Sequence, residues 1–412
     1  MTYFLLPKLS NKLNINNLEL TFINNETELY LISKSLKEYL NLMKKKIDNI
    51  CLDWDIYKKY TNPYEYIHTI ISNSQKISIS KIKPLSRSFY KMIEIAQTFS
   101  LFENSENIKT FHLAEGPGGF IEAFVFLRKN KKDTYYGMTL ISDDINIPSW
   151  KKSKLFLQKN NNIIIESGKD NTGNLMNKDN LIYCLEKYNN TMDIITGDGG
   201  FDFSLDFNKQ EEISINLIFA QICFALAMQK INGTFILKVF DLFTFASIDL
   251  LYILSLSYER VYIMKPNTSR FANSEKYIIC KNFRLNNSKE IVKKLSNFFP
   301  YLNNKDYIKR FLNIDISYLY KNKIEEINAI FGQQQIENIT TTFNLIENIN
   351  IDKLELYKKN NINKCINWCQ KYNIPCNKHL YIQNNIQNNI ENIIENDFEI
   401  DASNNENLLS IE

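Results

Sequence analysis

The sequence lacks a regular cysteine framework, a strong net charge and a long uninterrupted apolar run. Its seven cysteines are irregularly spaced, so we expect a reducing, cytoplasmic setting rather than a disulfide-stabilised secreted domain. Basic and acidic residues nearly balance, at 49 and 46, and the net charge of +3 neither requires nor excludes a nucleic-acid partner. No apolar run approaches the roughly 20 residues of a membrane-spanning helix, and residues 1–13 lack the shape of a signal peptide. We therefore expect no membrane partner.

What is present is a chain of 412 residues, of which 44% are hydrophobic and 23% charged, as in soluble globular proteins. This length suggests one large domain with flanking parts. We predict a helical N-terminal extension (1–80), a central domain (81–285), a helical C-terminal region (286–382) and a disordered tail rich in Asn and Glu (383–412). Within the extension, the basic run of Lys44, Lys45 and Lys46 favours a solvated helix face over an RNA contact.

Short β-branched or aromatic runs alternate with helical patterns in the central domain. The predicted strands are 110–114, 135–140, 162–166, 193–196, 234–240, 260–265 and 276–281, and the helices between them are 119–129, 177–188, 209–230 and 244–256. This alternation predicts an α/β fold with a mainly parallel, seven-stranded sheet and helices on both faces. No helical stretch separates the last two strands, so we expect them to form an antiparallel pair.

A glycine-rich turn, Ala114-Glu115-Gly116-Pro117-Gly118-Gly119-Phe120, follows the first predicted strand and opens a helix. Such a turn lets a ligand approach the backbone closely, and the helix N-terminus is expected to present free N–H groups. The spacing differs from GxGxxG, which makes a dinucleotide-dependent oxidoreductase a distant alternative. A tight structural turn without a ligand is the other alternative.

Three polar residues stand out at the ends of predicted strands. Asp198, in Gly197-Asp198-Gly199-Gly200, directly follows a strand, where parallel sheets place ligands. Lys238 interrupts the apolar run 235–240, and a lysine in a buried strand is costly unless it is paired or functional. Glu275 ends a polar loop between the last two strands. All three could face one edge of the sheet.

Together these motifs resemble the FtsJ/RrmJ-like ribose methyltransferases, and most closely the branch of cap-specific mRNA 2′-O-methyltransferases. The resemblance runs from about residue 84 to residue 283. It rests on the glycine turn, on 137–140, on Asp198-Gly199-Gly200, on 238–244 and on 265–270 leading to Asn273-Ser274-Glu275. It implies a Rossmann-like class I methyltransferase fold with S-adenosyl-L-methionine as cofactor. Similar proteins occur in large cytoplasmic DNA viruses, a source that this Asn-, Ile- and Lys-rich sequence would suit.

The resemblance implies a catalytic tetrad of Lys91, Asp198, Lys238 and Glu275. The attacking ribose 2′-hydroxyl must lose its proton, and a lysine can accept it only if its pKa falls from about 10.4 toward neutrality. In the implied mechanism Lys238 is the base and Lys91 supplies a neighbouring positive charge. Asp198 and Glu275 then orient the two lysines.

The resemblance also implies cofactor and substrate contacts. The implied cofactor residues are Glu115, Gly116, Pro117, Gly118, Gly119, Phe120, Asp170 and Asp198, with Asp170 as the candidate for the adenine contact. The implied substrate residues are Ser269, Arg270 and Asn273. Two departures from the family pattern are Phe271, where the cap branch usually has proline, and Glu115, where a small residue or Cys is common.

The implied substrate is capped mRNA, methylated at its first transcribed nucleotide, with the capping or transcription machinery as further partners. The protein would then act in the cytoplasm, in a virion or in the nucleus. One alternative is a ribosomal or transfer RNA 2′-O-methyltransferase, although an enzyme of that kind would be near half this length. Another is a catalytically inactive RNA-binding subunit with the same fold.

A cluster of soft ligands near the C-terminus contains Cys365, Cys369, Cys376 and His379. Four such ligands could form a closed zinc site. The spacing is not that of a standard zinc finger, however, and thiols four residues apart on an apolar helix face more often pack in a core. We therefore expect no metal.

Overall fold

The computed structural model describes residues 3–25, 29, 31–71, 77–103, 106–144, 147–200, 207–302 and 306–378. The described residues form two compact units, which lie within residues 1–54 and 84–343 and within residues 55–83 and 344–412. This grouping differs from the four-part division suggested by the sequence, because segments on both sides of the central domain pack into the first unit.

The strands are β1 (Tyr3–Leu5), β2 (Leu18–Ile23), β3 (Lys109–Leu113), β4 (Thr134–Met138), β5 (Ile163–Ile165), β6 (Met192–Gly197), β7 (Gln229–Val239), β8 (Tyr258–Met264), β9 (Lys276–Phe283) and β10 (Tyr307–Leu312). The α-helices are α1 (Lys34–Asp48), α2 (Cys51–Thr61), α3 (Ser88–Thr98), α4 (Gly119–Arg128), α5 (Lys154–Lys159), α6 (Lys178–Tyr188), α7 (Gln210–Met228), α8 (Phe245–Ser257), α9 (Ser288–Ser296), α10 (Tyr318–Glu347) and α11 (Ile351–Lys371).

The main sheet has eight strands in the order β1-β8-β9-β7-β6-β3-β4-β5. The five strands from β7 to β5 are parallel to one another, whereas β9 is antiparallel to both β7 and β8. This confirms the predicted α/β fold and the final antiparallel pair. The eighth strand is β1, which pairs antiparallel with the edge strand β8. A three-residue strand is too short to give a periodic pattern, so the sequence predicted only seven.

The topology brings the motif-bearing segments to one edge of the sheet. Strands β3, β6 and β7 run parallel, so their carboxyl ends lie together. They lead into the glycine turn, Asp198 and the segment after Lys238, respectively. Because β9 runs in the opposite direction, its first residues, next to Glu275, reach the same edge.

Helix α7 lies in the core of the first unit. Its residues from Leu217 to Met228 are all buried, as expected for a helix that is apolar on every side. Among the described residues, it is the single helix long and apolar enough to cross a membrane by length and composition. Since 83% of the tested window is buried inside the protein, it matches the core helix of a soluble fold equally well.

The apolar segment 243–256 forms the buried helix α8, and its one carboxylate has a structural partner. Asp249 accepts two hydrogen bonds from the Arg310 guanidinium, at 2.8 and 2.9 Å. It also accepts the backbone N–H of Phe311 at 2.8 Å and of Leu312 at 3.1 Å. These contacts attach β10, which pairs antiparallel with β2 in a separate two-stranded sheet, to the core.

Candidate active site

The four predicted catalytic residues form two lysine–carboxylate pairs at this edge. Lys91 Nζ, on α3, lies 2.7 Å from the Glu275 carboxylate. Lys238 Nζ, on β7, lies 3.3 Å from Asp198 Oδ1 and donates a hydrogen bond to the Asp198 carbonyl at 2.7 Å. All four side chains are between 11% and 15% exposed, so they are nearly buried but still open to a substrate.

The two pairs are linked electrostatically through Glu275. Burial alone would raise the pKa of this carboxyl group. The ammonium groups of Lys91 and Lys238, together with hydrogen bonds from Lys91 and Ser269, outweigh burial and lower its pKa to about 2. Glu275 is therefore a carboxylate at every pH at which the protein would work.

Tyr277 is a site residue that the sequence reasoning missed. Its hydroxyl donates a hydrogen bond to Asp198 Oδ1 at 2.9 Å, and its ring is fully buried. Burial and the nearby Asp198 carboxylate raise the pKa of Tyr277 well above its ordinary value, so it remains a donor. Glu275 and Tyr277 are two residues apart, so in an extended segment their side chains lie on the same side. This spacing is the sequence feature that could have identified Tyr277 as a site residue.

The glycines after Asp198 keep the site open. A Cβ on Gly200 would lie 3.2 Å from Lys238 Nζ, and a Cβ on Gly199 would lie 2.8 Å from Gln221 Oε1. Either side chain would press on a group that holds the site in place. The glycines thus leave room for a ligand beside Lys238.

The start of α4, which follows the glycine turn, differs from the sequence prediction. Glu115 Oε1 accepts the backbone N–H groups of Phe120 at 2.6 Å and Ile121 at 3.1 Å. These N–H groups at the start of α4 were expected to be free for a ligand, but the carboxyl group of Glu115 caps them. Gly118 has a φ of +107°, a conformation that favours glycine, and this explains its place in the turn.

Helix α3 is attached to the 265–275 loop, which joins β8 to β9. Arg87 donates to the Thr268 carbonyl at 2.9 Å. Glu94 accepts the backbone N–H groups of Asn267 at 2.8 Å and Thr268 at 3.2 Å. Arg87, Lys91 and Glu94 are spaced by four and three residues, so they share one face of the helix. This contact places Lys91 against Glu275 and supports it as the first tetrad lysine.

Two predicted substrate residues have their side chains engaged within this loop. Ser269 Oγ donates to Glu275 Oε1 at 2.7 Å. Asn273 Oδ1 accepts a hydrogen bond from Lys265 Nζ at 3.1 Å. Arg270 is half-buried. Direct substrate contact by these three residues stays a prediction, and the contacts shown give Ser269 and Asn273 a role in shaping the loop.

The extension that precedes the central domain contributes to the same region. Lys44, predicted to be on a solvated face of α1, is buried and lies 3.0 Å from Asp241 Oδ2. The prediction was wrong for Lys44, because Asp241 provides it with a buried partner, whereas Lys45 and Lys46 are exposed. Asp241 follows the end of β7, three residues after Lys238.

Residues 84–283 match the family profile described as FtsJ-like methyltransferase. This segment is therefore similar to FtsJ-like methyltransferases, and we refer to it as the FtsJ-like domain. The match has the same limits as the resemblance noted in the sequence, and it contains the glycine turn and all four tetrad residues.

Curated relatives of this chain carry cap-specific names. Cap-specific mRNA (nucleoside-2'-O-)-methyltransferase 2 of Drosophila melanogaster is 29% identical over 61% of this chain and 37% of its own length. The Pongo abelii protein of the same name is 26% identical over 86% of this chain and 46% of its own. Cap-specific mRNA (nucleoside-2'-O-)-methyltransferase 1 of Mus musculus is 31% identical over 54% of this chain and 28% of its own length. The chain spans less than half the length of these relatives.

Solved structures similar to part of this chain include a Plasmodium falciparum protein described as a putative ribosomal RNA methyltransferase. It is 24% identical, covers 48% of this chain and 98% of its own, and gives a TM-score of 0.34. Human methyltransferase-like protein 13 in complex with SAH is 10% identical and gives a TM-score of 0.31. The match covers 52% of this chain and 90% of the human chain.

The glycine turn of the FtsJ-like domain fits a sulfonium cofactor better than a dinucleotide. Glu115 already holds two helix N–H groups of the kind that a pyrophosphate would use. Burial and the nearby Asp198 carboxylate raise the pKa of Glu115, so a positive charge bound there would offset the repulsion between the two acids. The Trp150 indole N–H is buried without an acceptor in the described residues. The Cζ3 atom of the Trp150 ring would lie 3.5 Å from a Cβ on Gly118, so the ring packs against the turn.

Asp170, the candidate for the adenine contact, is already engaged in the loop after β5. Oδ1 accepts hydrogen bonds from Thr172 and Asn180, and Oδ2 accepts one from Asn177 at 2.6 Å. Slight burial alone would raise the pKa of Asp170, but these hydrogen bonds outweigh it and lower the pKa to about 2. The adenine contact stays a prediction, and it would involve a carboxylate that also holds this loop together.

The cysteine cluster belongs to the second unit. Cys365, Cys369 and Cys376 are buried, and Cys365 Sγ lies 3.5 Å from the Pro63 carbonyl oxygen. His379 lies outside the described residues. Burial raises the pKa of the Cys365 and Cys369 thiols, which favours the protonated form over the thiolate that zinc binds. The absence of a metal stays a prediction.

Proposed function

We propose that this protein transfers a methyl group from S-adenosyl-L-methionine to a ribose 2′-hydroxyl of RNA, at the first transcribed nucleotide of capped mRNA. The observation that carries the proposal is the pairing of Lys91 with Glu275 and of Lys238 with Asp198, beside the glycine turn of an FtsJ-like domain. The cap-specific names of the curated relatives support the choice of substrate.

The first task of the protein groups is to activate the hydroxyl. Lys238 accepts its proton, and the glycines at 199 and 200 leave space for the ribose beside the Lys238 amine. Asp198 orients Lys238, and Tyr277 in turn fixes one oxygen of Asp198 through a hydrogen bond of 2.9 Å. The amine is therefore held in one place before the substrate arrives, which is how positioning lowers a barrier.

The second task is to stabilise the negative charge that develops on the hydroxyl oxygen. Lys91 supplies the positive charge, and Glu275, fixed by Ser269, keeps Lys91 in position. When bound, S-adenosyl-L-methionine supplies a methyl carbon made electrophilic by its sulfonium. The residues that would hold it are those of the glycine turn and Asp198, with Glu115 beside the positive centre.

The test is methyl transfer from labelled cofactor to RNAs of one sequence that differ only at the 5′ end. One RNA carries an N7-methylguanosine cap, one a triphosphate, and a structured ribosomal RNA fragment is the third substrate. We expect label on the capped RNA, at the 2′-oxygen of its first transcribed nucleotide, and much less on the others. Equal labelling of capped and uncapped RNA, or label only on the ribosomal fragment, would contradict the cap assignment and leave the chemistry intact.

A matched pair of variants shows whether any transfer comes from this site. Lys238→Met removes the proposed base, whereas Lys281→Met makes the same change in β9, where Lys281 Nζ donates to the Phe99 carbonyl. We expect Lys238→Met to abolish transfer and Lys281→Met to keep it. No transfer by the wild-type protein to any RNA, despite cofactor binding, would favour the inactive RNA-binding subunit.

A further inference from the structure

Lys265 is a buried lysine that lies outside the tetrad and spans the 265–275 loop. Its Nζ donates to the Asn273 carbonyl at 2.6 Å, to Asn273 Oδ1 at 3.1 Å and to the Glu275 carbonyl at 3.0 Å. An ammonium group has three N–H donors, so these contacts use all of them. The side chain thus connects the first residue of the loop to its last.

Packing alone does not explain a lysine at this position. Its residue is only 7% exposed, its three acceptors are uncharged, and a buried cation carries a large desolvation cost. Burial, followed by the nearby Lys276 ammonium, lowers the pKa of Lys265 to about 7. The charged groups around it are Lys276 and Glu275 at the start of β9, Lys91 on α3 and Asp241 after β7. A methionine would fill similar space without this cost.

The contact to the Glu275 carbonyl gives Lys265 an influence on the active site. It holds the backbone from which the Glu275 side chain reaches Lys91 at 2.7 Å. We propose that Lys265 is a positioning residue for methyl transfer, which closes the 265–275 loop so that Glu275 keeps Lys91 in place. This inference rests on the proposed function, but its first test does not require activity.

The first test is a crystal structure of the Lys265→Met variant of the full chain. We expect the distance between Lys91 Nζ and the Glu275 carboxylate to increase beyond the roughly 4 Å of an ion pair. In single-turnover assays the rate of methyl transfer should fall by about 100-fold, the loss typical of a displacement of about 1 Å in an active site. Cofactor affinity, measured by calorimetry, should not change, since Lys265 does not contact the glycine turn. An unchanged Lys91–Glu275 distance would overturn the proposal.

The second test is a double-mutant cycle with Glu275→Gln, which asks whether Lys265 acts through Glu275. If it does, adding Lys265→Met to Glu275→Gln should lower the transfer rate no further, because the contact to Lys91 is already weakened. A merely structural role predicts that the two losses multiply, and that result would also overturn the proposal.

Lys276 provides the matched control. It is also buried, and its Nζ donates to the Ser274 carbonyl at 2.9 Å rather than to Glu275. The losses of transfer rate caused by Lys276→Met and Glu275→Gln should therefore multiply in the double variant. If Lys276→Met instead added no loss to Glu275→Gln, as expected for Lys265→Met, the positioning role could not be assigned to Lys265. If Lys265→Met does not fold, Asn273→Ala replaces it in both tests, because it removes one acceptor of the same ammonium. Absence of transfer by the wild-type protein would count against the proposed function alone.

Discussion

At the scale of single residues, substitutions of Lys238 distinguish a proton-accepting role of this lysine from a purely electrostatic one. Arginine keeps the positive charge but cannot give up its proton at working pH. Lys238→Ala and Lys238→Arg should therefore both lower the single-turnover rate of methyl transfer by about 10²–10⁴-fold, the usual contribution of a positioned general base. Cofactor affinity, measured by calorimetry, should change far less than the rate, since neither substitution touches the glycine turn and Asp198 is the one proposed cofactor residue that Lys238 contacts.

The arginine variant is the informative one of the two. Near-wild-type transfer by Lys238→Arg would mean that the residue acts only as a fixed positive charge beside Asp198. The general base would then have to be sought elsewhere, although the geometry of the two lysine–carboxylate pairs would stand.

Three of the four residues that form the two lysine–carboxylate pairs stand out in the sequence by their setting, such as Lys238 in an apolar run, whereas Lys91 was given only by the family resemblance. Their role in catalysis stays a prediction. The residues that support the two pairs could not be predicted from the sequence. Tyr277 looks like an ordinary strand aromatic, and its bond to Asp198 depends on how β9 pairs with β7. The contacts of Lys265 and Ser269 likewise depend on the backbone path of the 265–275 loop. A loop has no periodic sequence pattern from which that path could be predicted.

At the scale of elements, the start of α4 depends on the cap provided by Glu115. Glu115→Ala would leave the buried N–H groups of Phe120 and Ile121 without this acceptor. The cost of leaving a buried donor unsatisfied is about 1–3 kcal/mol, so the free energy of unfolding should fall by at least that order. Glu115→Gln keeps an oxygen acceptor and should lose less. Urea unfolding of the two variants measures the difference.

Glu186→Ala is the control for this prediction. Glu186 is an exposed residue of α6, and a change there should alter the free energy of unfolding by no more than about 0.5 kcal/mol. Unfolding of Glu115→Ala at the same urea concentration as the wild type would show that another acceptor replaces the Glu115 carboxyl group.

Elements with strongly apolar runs inside the central domain were predicted well, and the strands in the flanking segments were not. The helix predicted over 209–230 is α7 (Gln210–Met228), and the strand predicted over 193–196 is β6 (Met192–Gly197). Strands β1, β2 and β10 were missed in segments predicted to be helical. β1 pairs with β8, and β2 pairs with β10, each far away in the sequence. Such strands depend on tertiary pairing rather than on local propensity.

At the scale of the whole molecule, the first unit is assembled from segments distant in the sequence. Residues before the FtsJ-like domain supply β1 to its sheet. They also supply Lys44, which forms an ion pair with the nearly buried Asp241 just after the end of β7. Lys44, together with Lys276 and Lys37, lowers the pKa of Asp241 against the opposing effect of its burial. The N-terminal segment is therefore part of the structure that supports the tetrad.

The buried Lys265 also makes the stability of the whole fold depend on pH. Burial and the Lys276 ammonium lower its pKa to about 7 in the folded protein, whereas a lysine in an unfolded chain has a pKa of about 10.4. Between these values the unfolded chain binds one proton more than the folded one, so the contribution of Lys265 to the free energy of unfolding rises with pH.

Lys265→Met removes this titration and leaves the other ionisable groups in place, so the comparison of wild type and variant isolates it. Subtracting the free energy of unfolding of the variant from that of the wild type should give a difference that increases from pH 7 to pH 10. The slope should not exceed about 1.4 kcal/mol per pH unit, the limit for one proton. Urea unfolding of both proteins at pH 7, 8, 9 and 10 measures it. A difference that stays constant over this range would mean that Lys265 keeps its proton in the folded state. The ammonium would then be stabilised by its three acceptors more strongly than burial opposes it.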